Sequence, residues 1–218
     1  MSILVSIVGA SGYAGGEILR LLVSHPEVKI GQAISRTYAG QPLSRAHPHL
    51  RGYKLPKFVS PDELTKTDIL MLAQPHGVSQ REIENYVELA PRIIDLSSDF
   101  RLRSHDDYQH WYGQAHAAPD WLPRFVYGLP EIHRASIQKA HYVSGVGCNA
   151  TATILALLPL VQHNLLVRER PIIAEVKTGS SEGGRKVNPG SHHPVRKGVV
   201  RSYAPVGHRH IAEVQQSL

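Results

Sequence analysis

The sequence is poor in cysteine, in aromatic residues and in long apolar runs. A single cysteine, Cys148, among 218 residues excludes an internal disulfide and any multi-cysteine zinc or iron–sulfur site. No stretch reaches 18 apolar residues, so no transmembrane helix and no membrane partner are expected. No basic stretch precedes the first apolar segment and no small-residue cleavage signal follows it. A secretory peptide is therefore not expected, and the expected compartment is the cytoplasm. Lys and Arg form no dense cluster and the aromatics, 6% of residues, no stacking motif, which argues against a nucleic-acid binder. The rest is ordinary for a globular chain, with 42% apolar and 19% charged residues, which excludes a disordered or collagen-like chain. A net charge of +6 suits either an acidic partner or a plainly solvated surface.

Hydrophobic patterning divides the chain into alternating strands and helices. Ile3 to Val8 is a β-rich run ending in GASGYAGG, and Ile18, Leu19, Leu21, Leu22 and Val23 mark one side of a helix stopped at His25-Pro26. Further strands are predicted at Val28–Ile34, Asp68–Ala73, Arg92–Leu96 and Tyr142–Ser144, with helices at Ser79–Leu89 and Asn149–His163. Residues 36–61 read as loop, and 103–134 as aromatic-rich and irregular. Pro171–Lys177 reads as a strand of a new unit. This alternation predicts an α/β fold, a doubly wound, mostly parallel sheet, with a domain boundary near residue 148.

Four groups of residues can carry chemistry. Gly9, Gly12 and Gly15 form G-x-x-G-x-x-G between the first strand and helix, where glycine allows a tight turn and helix N–H groups meet a phosphate. Ser11, Tyr13 and Ala14 complete this candidate dinucleotide turn, although a plain strand-to-helix turn has the same pattern. At the end of the second strand, where NAD-binding folds place an acid, stands Ser35-Arg36-Thr37. An arginine there favours NADP through the 2′-phosphate, the alternative being an exposed loop residue. Cys148 follows Gly-Val-Gly at a predicted helix start, where the helix end favours a reactive thiolate. Spacing alone does not separate this nucleophile from a buried structural thiol. Of the 14 histidines, His47, His49 and His76 sit in loops beside Pro or Gly and read as bland. His192-His193 lacks the helical spacing or second ligands of a zinc site, so no metal is expected. His208-Arg209-His210 with Glu213 forms a compact acid/base and anion-binding group.

GASGYAGGE (9–17), DLSSDFRL (95–102), FVYGLPE (125–131), GVGCNATA (145–152) and GHRHIAE (207–213) together resemble the N-acetyl-γ-glutamyl-phosphate reductases, relatives of the aspartate-semialdehyde dehydrogenases. The resemblance implies an NADP-binding Rossmann-type domain over 1–147 and the start of an α+β catalytic and dimerisation domain over 148–218. It also implies reduction of an acyl phosphate to an aldehyde. Cys148 would be the nucleophile and His208 the acid/base; Arg101, Asn149, Arg185, Arg209 and Glu213 would meet substrate. Val-Gly-Cys-Asn-Ala-Thr around the nucleophile, with Ser191-His192-His193-Pro194 and Val200-Arg201-Ser202-Tyr203, is more similar to the branch acting on carrier-linked substrates. That branch reduces 2-aminoadipyl or glutamyl phosphate tethered to an acidic amino-group carrier protein, in lysine or arginine biosynthesis. Arg185, Lys186, Arg196, Lys197 and Arg201, with no acid between them, are the cations available to such a carrier. The chain ends just after the HRH motif, so the resemblance also implies a shortened second domain and, at full length, a homo-oligomer. The competing expectations are the same chemistry on free N-acetylglutamyl phosphate, and an inactive nucleotide-binding chain.

Overall fold

The computed structural model describes residues 2–167 and 169–218. They form two compact units, one from residues 2–101 and 116–145, the other from 102–115, 146–167 and 169–218.

The first unit is a seven-stranded sheet in the order β3-β2-β1-β4-β5-β7-β6, every neighbouring pair parallel. Its strands are β1 (Ile3–Val8), β2 (Val28–Ile34), β3 (Phe58–Val59), β4 (Ile69–Leu72), β5 (Arg92–Asp95), β6 (Phe125–Tyr127) and β7 (Tyr142–Ser144). Helices α1 (Tyr13–Leu22) and α2 (Ser79–Leu89) lie on opposite faces. Alternation along the strands decides this: Val8, Ile34, Leu70 and Leu72 pack with Ile83 and Tyr86 of α2, whereas Ile7 and Ala33 pack with Ile18 and Leu19 of α1. Strands covered on both faces read as near-continuous apolar runs, which is why they were legible. The predicted α/β doubly wound sheet is therefore what the chain adopts.

Three local expectations change. Residues 36–61 contain β3, a two-residue edge strand that exists through Ala33–Phe58 and Ile34–Val59 pairing. The stretch 103–134 is more regular than expected, holding α3 (His105–Tyr112), β6 and the start of α4 (Pro130–Lys139). Ser104 caps α3 by accepting from Asp107 N–H, Gly113 ends it at φ +70°, and Pro130 opens α4. Pro171–Lys177 is not a strand: the described residues of its unit contain no strand to complete its ladder, and Ile173 is 92% exposed.

The second unit holds α3, α5 (Cys148–Gln162), the short α6 (His193–Arg196) and α7 (His210–Ser217), with α7 packed on α5. The α3 segment is tied to α7 by the Arg103 N–H, which donates to Gln216 Oε1 at 2.8 Å, and by the Arg209 guanidinium over the Tyr112 ring.

Candidate active site

In the first unit the strand order reverses between β1 and β4, and the C-terminal edge at such a switch point is where parallel sheets bind ligands. Gly9 leaves β1 at φ +78°, and a Cβ there would run into the Ala73 carbonyl at the end of β4. Gly15 is equally constrained, since a Cβ would stand 2.6 Å from Gly9 O and from Ala10 Cα. Two of the three motif glycines are thus set by close backbone approach. Gly12 is the extended N-cap of α1, and no side chain caps that helix end. The first turn of a helix has N–H donors to offer, so this uncapped end fits an anionic ligand.

Ser35 closes the other side of the turn, its hydroxyl donating to Ser11 Oγ at 2.9 Å. Arg36 and Thr37 are exposed beside it. Near Arg36, the Tyr86 hydroxyl contacts the Glu82 carboxylate and lies 3.0 Å from Gln74 Oε1. Burial, then Glu82, push the Tyr86 phenol upward, against the Arg36 charge. The β4–α2 loop is anchored by Asp99, whose carboxylate accepts from Gly77 N–H (2.7 Å) and Gln80 N–H (3.1 Å). Arg101, a candidate for phosphate, is instead buried in this unit, donating from Nε to Gly145 O (2.9 Å) and from Nη2 to Leu96 O (3.2 Å). It braces the ends of β5 and β7.

In the second unit Cys148 is the first residue of α5 and its thiol is exposed, so the buried structural reading does not hold. The thiol contacts Asn149 Oδ1 at 3.7 Å. Asn149 Nδ2 donates to Tyr203 Oη (3.0 Å), which lies 3.4 Å from His208 Nε2. His208 Nδ1 accepts the His210 backbone N–H at 3.1 Å, so the neutral ring carries its proton on Nε2, facing Tyr203. Partial burial, then the neighbouring Arg209, lower the His208 pKa, partly offset by Glu182 and Glu213. His208 is therefore placed as a neutral Nε2–H donor.

Glu213 is fully buried. One carboxylate oxygen accepts Gly147 N–H at 2.9 Å and the other lies 3.8 Å from His210 Nε2. A Cβ on Gly147 would stand 2.6 Å from Glu213 Oε1 and 2.7 Å from His210 Nε2, so the residue before Cys148 is glycine because α7 sits there. Glu213 holds the Gly147 backbone ahead of Cys148, and its side chain is fully buried. Arg209 is the N-cap of α7, and Arg185 is exposed in the loop before α6. Tyr203 and His210 stand inside motifs the sequence singles out, but without individual roles there; only the fold shows what each touches.

Cavities flank this group. One of about 610 Å³ is lined by Asn149, Thr153, Leu157, Ile173, His208 and Ile211, among others. Among the described residues no cluster of three or more His, Cys, Asp or Glu is placed to hold a metal. None of their helices is long and apolar enough to cross a membrane.

Comparison with known proteins agrees with both units. Residues 4–140 match the family model for the semialdehyde dehydrogenase NAD-binding domain, and residues 148–218 that for the semialdehyde dehydrogenase dimerisation domain. The chain is 48% identical over 217 residues to the LysW-L-2-aminoadipate/LysW-L-glutamate phosphate reductase of Saccharolobus solfataricus. It is 47% identical over 217 residues to the protein of the same name from Sulfurisphaera tokodaii. Each alignment covers 98% of this chain but 61% and 62% of the relative, so the chain spans under two thirds of their length. Among solved structures, aspartate semialdehyde dehydrogenase II of Vibrio cholerae superposes with a TM-score of 0.54 at 16% identity, over 75% of this chain and 43% of that one, a likeness of fold. With a matched NAD-binding domain folded as a doubly wound parallel sheet, this chain belongs to the semialdehyde dehydrogenase family.

Proposed function

We propose that this chain carries the cofactor domain, over 1–147, and the nucleophile, over 148–218, of an NADP-dependent acyl-phosphate reductase. Its substrate is 2-aminoadipyl or glutamyl phosphate linked through the amino group to an acidic carrier protein, in lysine or arginine biosynthesis in the cytoplasm. The carrying observation is the exposed Cys148 thiol at the start of α5, joined through Asn149 and Tyr203 to the Nε2–H of His208. The names of the relatives at 47–48% identity support the carrier-linked substrate. The exposed cations Arg185, Lys186 and Lys197 suit an acidic partner. The dimerisation-domain match supports a homo-oligomer.

Ser11, Gly12, Tyr13, Ala14 and Gly15 would hold the dinucleotide's pyrophosphate; Ser35, Arg36 and Thr37 its 2′-phosphate. When bound, the reduced dinucleotide would supply hydride to the acyl carbon. The protein's own steps are covalent. The Cys148 thiolate attacks the acyl carbon, a C–S bond forms, and the C–O bond to phosphate breaks, leaving a thioester. After reduction, the C–S bond breaks as the aldehyde forms and the thiolate is restored. His208, through Nε2–H, donates to the oxygen that gains charge in both steps. Accepting a thiol proton requires its Nδ1 to release the His210 N–H, so His208 acts first as donor. Asn149 and Tyr203 orient substrate and imidazole, and Glu213 positions Gly147.

The test compares turnover of carrier-linked and free N-acetylated substrates by the wild type and Cys148→Ser. NADPH oxidation and phosphate release with the carrier-linked substrate, lost in Cys148→Ser, is the expected result. A serine variant that keeps activity removes the thioester. Equal turnover of free substrate removes the carrier.

A further inference from the structure

His47 reads as a bland loop histidine, yet it is buried against the glycine-rich turn. Its Nε2 lies 2.8 Å from Ala10 O; a carbonyl only accepts, so Nε2 carries the proton and donates. The ring also fills the space above Gly16, where a Cβ would stand 2.5 Å from His47 Cε1 and Nδ1. Phe58 of β3 and His49 pack around the ring, with centroids 6.3 and 5.8 Å away. The 3₁₀ turn Leu43–Arg45 holds the backbone through His47 N–H to Leu43 O at 3.0 Å.

The consequence lies in the Ala10–Ser11 peptide. A trans peptide is planar, with its C=O and N–H pointing in opposite directions. The Ala10 carbonyl points to His47, so the Ser11 N–H of the same peptide points the opposite way within the peptide plane, away from the imidazole. This peptide turns about ψ of Ala10 and φ of Ser11, and the hydrogen bond from His47 Nε2 to Ala10 O restrains that rotation. We propose that His47 is a positioning residue for dinucleotide binding: it fixes the Ala10–Ser11 peptide so that Ser11 N–H meets the pyrophosphate, and its ring sets the height of α1 through Gly16. The proposal rests on the dinucleotide reading of this unit.

The experiment is calorimetric titration of the 218-residue chain with NADP⁺, which has a pyrophosphate, and with adenosine 2′-phosphate, which lacks one. His47→Leu, which keeps bulk but loses the donor, should weaken NADP⁺ by about tenfold, as expected for one lost hydrogen bond, and leave adenosine 2′-phosphate within twofold. His47→Gln, whose amide can donate to Ala10 O, should restore NADP⁺ binding to within threefold. If His47→Leu does not fold, Gly16→Ala keeps the histidine but pushes its ring, and with it Nε2–H, away from Ala10 O, and the same selective loss is expected. NADP⁺ affinity unchanged in the variants, or an equal loss of both ligands, overturns the proposal. A wild type that binds neither ligand overturns the dinucleotide reading instead.

Discussion

Asp95, at the end of β5, carries the charge whose burial has the most measurable consequence. It is fully buried, accepting from Ser79 Oγ at 2.8 Å, from Ser97 N–H at 3.2 Å and from Ser97 Oγ at 2.5 Å. Burial outweighs these bonds and, with the nearby Asp99 charge, pushes its pKa from 3.8 up to about 6. A raised carboxylate binds its proton more tightly when folded. Its stabilising contribution is therefore complete below the unfolded value and is lost as pH rises toward and through about 6. The full rise corresponds to about 3 kcal/mol, of which about 2.4 kcal/mol falls between pH 4 and 7. Asp95→Asn is neutral throughout and keeps an acceptor for Ser79. Urea unfolding of both proteins in a Trp111→Phe background leaves Trp121 as reporter of the sheet unit. The variant should gain about 2.4 kcal/mol relative to Asp95 across that pH window, on the linkage argument above. Parallel stability curves for the two proteins would refute the reasoning.

Two further perturbations separate the two units. Glu213→Ala strands the buried Gly147 N–H and should cost about 1–3 kcal/mol in urea unfolding reported by Trp111, whereas Glu213→Gln, which can still accept, should recover most of it. Arg36→Ala should narrow a preference for NADPH over NADH by about 1.5–3 kcal/mol, the worth of a hydrogen bond to a charged group. Fluorescence titration with both cofactors checks this, and equal affinities in the unmodified chain would remove Arg36 from the 2′-phosphate role.

The sequence by itself determined the elements whose signals are local. β1, β2, α2 and β7 stand where apolar periodicity placed them, because each strand of a two-sided sheet and each face of an amphipathic helix is written in adjacent residues. The glycine turn and Cys148 at the head of α5 were legible for the same reason. In 103–134 the caps Ser104, Gly113 and Pro130 were also local, but short elements among aromatics gave periodicity too little length to register. Tertiary structure decided the rest. β3 exists only as an edge pairing of two residues, and Pro171–Lys177 has strand-like residues but no paired ladder. Tyr203 lies 54 positions from Asn149, Glu213 lies 66 from Gly147 and His47 lies 37 from Ala10. A side chain's type is read from the chain, but its donor or acceptor is supplied by a distant segment, and that pairing separates a bland histidine from one bonded to the glycine-rich turn.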